Sequence, residues 1–144
     1  MFNTPFELSL HVIMLLDLAN NKLTVDRITA YDFITVYSSA FGITGKSLNG
    51  ENEFAFSELS ARRNRIKDAI KELVLDGLVT VEDEKNGILF SVSEAGRLFS
   101  QNLQSEYAVI YRNNLFQVIA QFGLYDDIRL LNEINKQSTL CLRR

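Results

Sequence analysis

The stretch Lys71-Glu-Leu-Val-Leu-Asp-Gly-Leu-Val-Thr80 constrains this chain more than any other. Upstream of it, Leu59, Ile66, Ala69, Ile70 and Leu73 recur at helical spacing behind an N-cap at Ser57, which predicts a helix over 57–76. At Gly77 the pattern changes at once to β-rich residues, so the helix must turn tightly into a strand, as a glycine at positive φ permits. Leu78 to Glu82 and Ile88 to Val92 flank the charged turn Asp83-Glu84-Lys85-Asn86-Gly87, which reads as a hairpin over 78–92. Leu73, Leu78 and Val81 are expected to pack under this hairpin. Ser93-Glu94-Ala95-Gly96 then opens a helix over 93–104 carrying Leu98, Phe99 and Leu103.

Two helices precede this unit. Thr4-Pro5-Phe6-Glu7 combines a cap, a first-turn proline and a capping-box glutamate, predicting a helix over 5–20 that Asn20-Asn21 stops. A second helix is expected over 24–40, with Ile28, Tyr31, Ile34, Tyr37 and Phe41 on one side and Phe33, Val36 and Ala40 on another, so it should be buried on two sides. A glycine- and asparagine-containing loop over 42–54 follows. Three helices, a hairpin and Ser-x-x-Gly are the order of a winged helix-turn-helix unit, here expected over 1–104. Residues 105–144 are expected to pack on it as helices of about 107–122 and 125–135, with a frayed tail over 136–144. The fold class is therefore mainly α (α+β), and that order identifies a fold far better than a function.

Composition narrows the chemistry. At 144 residues with 47% hydrophobic and 23% charged side chains, the chain is of single-domain size and has the makings of a folded core. One cysteine, Cys141, and one histidine, His11, make neither an internal disulfide nor a His/Cys metal cluster, so no metal and no cofactor are expected. The longest apolar run, Val12 to Leu16, falls far short of the ~20 residues of a membrane span. The N-terminal residues lack a basic leader pattern, and the expected location is cytoplasmic.

No catalytic constellation emerges. Ala40-Phe-Gly-Ile-Thr-Gly45-Lys46-Ser47 matches a relaxed phosphate loop, but such a loop follows a strand and opens a helix, and this one follows a predicted helix. His11 sits beside Leu8 and Leu15 and is expected to be structural. Asp32 lies amid Tyr31, Phe33 and Ile34, so its burial would require a cation, with Arg62 or Arg63 the candidates for a structural ion pair. Arg62, Arg63, Arg65, Lys67 and Lys71 on the third helix are the candidate contacts to DNA or to a partner. Against DNA stand the interleaved Asp68 and Glu72, the acidic turn Glu82-Asp83-Glu84 and a net charge of −3. Aromatics exceed what one small core needs, and Phe33, Phe54, Phe56, Tyr111 and Phe116 are the candidates for a partner interface.

Phe2-Asn-Thr-Pro-Phe-Glu7, Asp26-Arg-Ile-Thr-Ala-Tyr-Asp-Phe-Ile-Thr-Val-Tyr37, Phe41-Gly42, Leu48-Asn-Gly50, Phe56-Ser-Glu-Leu59 with Arg62-Arg63, and Lys71-Glu-Leu-Val to Gly77-Leu78 form a scattered pattern over about residues 1–122. In it the chain resembles the small middle component of bacterial ABC three-component systems, of which Lamassu-type anti-phage defence is the best-known setting. The resemblance implies partners: an SMC-like ABC ATPase and an effector subunit, often a nuclease, which a small winged-helix adaptor bridges or restrains. DNA would then be met through the complex. The alternative is a winged-helix transcriptional regulator that binds DNA directly, as a homodimer through its last two helices.

Overall fold

A computed structural model describes residues 4–43, 57–85 and 87–142, with the backbone alone at Ser57 and over 138–142. Helix α1 (Pro5–Ala19) begins at Thr4, whose hydroxyl accepts from the Glu7 amide, with Pro5 in the first turn where its missing N–H costs nothing. It ends at Asn20, which takes the left-handed conformation (φ 49°). The expected stripe is too narrow for what the fold does with α1: His11 through Leu16 are all buried, because other elements surround this helix on most sides.

Helix α2 (Val25–Val36) is capped by Thr24 and stops four residues short of the expected 24–40. Tyr37 leaves helical geometry, and a 3₁₀ turn over Ser38–Phe41 closes at Gly42 (φ 73°). The physical reason lies in Val36, Ser38 and Ser39, weak helix formers that leave the last turn free to tighten.

Helix α3 (Ser57–Leu75) ends as its glycine requires. Gly77 lies at φ 76°, its amide donates to the Val74 carbonyl at 3.1 Å, and the Leu78 amide donates to the Leu73 carbonyl at 2.9 Å, the paired bonds of a Schellman stop. Strands β1 (Val79–Glu84) and β2 (Gly87–Val92) pair antiparallel, Val81 opposite Phe90 and Asp83 opposite Ile88. Leu23 extends the ladder by one bridge to Phe90, fastening the hairpin to the α1–α2 connection. Lys22 adds an ion pair to Glu82 at 2.6 Å.

The Ser-x-x-Gly element acts as a clasp. Ser93 caps helix α4 (Glu94–Gln101) through the Gly96 amide and donates its hydroxyl to the Gly77 carbonyl at 2.7 Å. Gly96 brings α4 so close to the strand entry that an added Cβ would lie 2.1 Å from the Leu78 oxygen. Helix α5 (Glu106–Phe122), capped by Ser105, packs on α1 and α2. Helix α6 (Asp127–Leu142) packs on α2, held by Arg27, whose Nε donates to Asp127 at 2.8 Å. The helix runs past its expected end at about 135: neither glycine nor proline interrupts the chain from Asp127 to Leu142, and the backbone is helical to that residue. One apolar cluster runs through α1, α2, α3, α5 and α6, from Leu8 and Phe33 to Leu115 and Ile134. The result is a mostly helical α+β fold with a two-stranded sheet.

Candidate functional site

Two arrangements stand out, one inside the molecule and one on its surface. The inner one centres on Asp32, whose side chain α2 points into the core. Its Oδ2 accepts from Arg62 Nε on α3 at 2.5 Å; its Oδ1 accepts from the Tyr111 hydroxyl on α5 at 2.7 Å and from His11 Nδ1 on α1 at 2.9 Å. A carboxylate only accepts, so Nδ1 carries the proton in that last bond, and His11 Nε2 lies 3.0 Å from the Tyr107 hydroxyl. The imidazole is stacked on both tyrosine rings, with centroids 4.2 Å away for Tyr111 and 5.7 Å for Tyr107. Burial works to raise the Asp32 pKa, but the Arg62 charge and the His11 hydrogen bond outweigh it and hold the carboxyl well below its usual range. Burial, followed by the neighbouring Asp32 charge, pushes the Tyr107 and Tyr111 phenols upward. Asp32, His11, Arg62 and Tyr111 are buried, Tyr107 partly so, and the network joins four helices.

This geometry separates the two arginines considered for Asp32. Arg62 is the partner and only 4% exposed, so it is withdrawn from any DNA- or partner-binding surface. Arg63 turns instead to Asp26 at the start of α2, Nε to Oδ1 at 2.6 Å. Arg65, Lys67 and Lys71 project from α3 into solvent, with Asp68 and Glu72 exposed between them, and among the described residues none of the five is in an ion pair.

The outer arrangement lies between α3 and the hairpin. The side chains of Val74 and Leu75 on α3 face those of Val81, Ile88 and Phe90 on the sheet, enclosing an open groove of about 470 Å³ lined almost entirely by carbon. Lys67 and Lys71 form its rim. Leu75 is 80% exposed, Ile88 52% and Val81 49%, which corrects the expectation that Val81 packs away under the hairpin. Val79 and Val81 share one face of β1, but Val79 is buried where the strand leaves α3, while Val81, two residues on, lines the open groove. Sequence reasoning missed Leu75 and Ile88 altogether. The one signal available was an apolar side chain at 75 out of phase with the stripe of α3.

The aromatic candidates divide. Phe33 and Tyr111 are fully buried, so their assignment to a partner interface is corrected: Tyr111 serves the Asp32 network and Phe33 packs with Tyr37 in the core. Phe116 is 65% exposed on α5. Phe54, Phe56 and the Gly45-Lys46-Ser47 stretch lie outside the described residues, and what precedes that stretch is a helix and a 3₁₀ turn rather than a strand.

Among the described residues no group of three or more His, Cys, Asp or Glu side chains could hold a metal ion, and no helix is long and apolar enough to cross a membrane. No curated protein and no solved structure matches the chain. A family model does match, and it covers the inner network and the outer groove alike. Over residues 1–144 that model is the ABC-three component (ABC-3C) system Middle Component 2, and the chain belongs to this family, whose place in a multi-component system implies protein partners.

Proposed function

We propose that the chain is a non-catalytic winged-helix adaptor that bridges an SMC-like ABC ATPase and an effector subunit, a nuclease in a Lamassu-type defence complex. Residues 1–104 form the winged-helix unit and 105–144 brace it. The chain docks on the ATPase and holds the effector inactive until the ATPase senses foreign DNA ends.

The observation that carries this reading is the character of the α3–hairpin face. A winged helix that reads DNA turns this face to the phosphates and needs cations there. Here the same face offers a carbon-lined groove with exposed Leu75, Val81 and Ile88, mixed charge on α3 and an acidic hairpin tip at Glu82, Asp83 and Glu84. Contiguous exposed apolar surface rimmed by polar groups marks protein–protein contact. Membership of a middle-component family supports the same conclusion.

Recovery of the tagged chain from its native cell, with nuclease added, tests the reading: a large ATPase should remain bound. The regulator reading draws on Arg65, Lys67 and Lys71, which are exposed on α3 and in no ion pair among the described residues. It requires the purified chain alone to retard a specific duplex and to lose that ability in Arg65→Ala.

A further inference from the structure

The α3–hairpin groove restricts its occupant by shape and by charge. Its helical wall runs from Lys67 to Leu75, about two turns or roughly 12 Å. Its other wall is the face of the sheet, where Val81 and Ile88 project, and not a strand edge. The unpaired edge of β1 is the place where an extended segment would add, but it carries Glu82, Asp83 and Glu84 in succession, and consecutive charges blunt an edge. An occupant of the groove must therefore present side chains from a body of its own rather than a backbone ladder. An amphipathic helix does this with apolar residues at i, i+3, i+4 and i+7.

Charge supplies the second restriction. Lys67 and Lys71 stand one helical turn apart on the rim, and among the described residues neither is engaged by a carboxylate.

We propose that the groove binds an amphipathic α-helix of a partner protein, its apolar stripe lying on Leu75, Val81, Ile88 and Phe90 and its flanking carboxylates, one turn apart, meeting Lys67 and Lys71. This rests on the adaptor reading for the kind of partner and adds the chemistry by which it is recognised.

The test uses the full chain, isotope-labelled, and two synthetic helical peptides about five turns long that share one leucine–isoleucine stripe. One peptide flanks the stripe with glutamates, the other with lysines. The glutamate peptide should shift the amide signals of Lys67, Lys71, Leu75, Val81 and Ile88 and bind about tenfold more tightly than the lysine peptide, as two contacts changed from repulsive to attractive would give. The double variant Lys67→Glu/Lys71→Glu, checked for native circular dichroism, should reverse the preference. Equal affinities, no binding, or shifts that map elsewhere would overturn the proposal. So would concentration-dependent shifts of the same amides without peptide, which would give the groove to a second copy, or the same shifts with a DNA duplex. The titration needs no native partner, so its failure is distinct from a failure of the adaptor reading, which the recovery of an ATPase decides.

Discussion

Asp32 accepts three hydrogen bonds from three different helices, and its removal takes away the carboxylate that the buried Arg62 Nε meets. Asp32→Ala should therefore cost about 3–5 kcal/mol in urea unfolding, the range for breaking one side of a buried ion pair. Replacing both partners, as Asp32→Leu/Arg62→Met, should cost less than the sum of the two single changes, since no charge is then stranded. The pH dependence follows from the same site. The carboxyl titrates lower in the folded chain than in the unfolded one, so its contribution is fully present above the unfolded pKa near 3.8 and is lost as pH falls below it. The urea midpoint should drop between pH 5 and 3, and Asp32→Asn should flatten that drop. An unchanged slope in the variant would show that other carboxylates govern it. The need for a cation beside Asp32 is legible in an apolar run, Tyr31 to Ile34, that contains one acid. The roles of His11 and Tyr107 are not, because these residues are 96 positions apart and no local pattern joins them.

At the scale of elements, two glycines do different work. Gly77 needs only its backbone angle, with open space around it, so Gly77→Ala should cost about 1 kcal/mol. Gly96 needs room: a methyl there would meet the Leu78 oxygen at 2.1 Å and Val92 Cγ2 at 2.8 Å. Gly96→Ala should cost about 3 kcal/mol or more by forcing α4 off the hairpin, and thermal unfolding of the two variants side by side checks the order. A larger loss at Gly77 would mean that the turn, and not the clasp, holds the hairpin. The start of most elements is readable because caps are local: Thr4, Thr24 and Ser93 each accept a backbone amide within their own first turn. Ends are harder. α2 stops early and α6 runs on to Leu142, since a helix end without glycine or proline depends on what the last turn packs against.

For the molecule as a whole, α1 is the axis on which α2, α3, α4, α5 and the sheet assemble, and the single core absorbs most of the aromatic surplus. That is why composition overstated the interface: an aromatic is core or contact according to its neighbours, and neither Phe33 nor Tyr111 reveals them locally. Among the apolar surface that the core leaves exposed is the α3–hairpin groove, whose Leu75 contributes little to folding at 80% exposure. Leu75→Glu should accordingly change stability by no more than about 0.5 kcal/mol, measured by urea unfolding. Its effect belongs to assembly. The decisive measurement is quantitative recovery of the ATPase from native cells, with nuclease present, by tagged wild-type chain, Leu75→Glu and Arg65→Glu. The adaptor account predicts that wild type and Arg65→Glu retain it while Leu75→Glu loses it. An ATPase held by Leu75→Glu as firmly as by wild type, or one that leaves all three chains once DNA is digested, would contradict it.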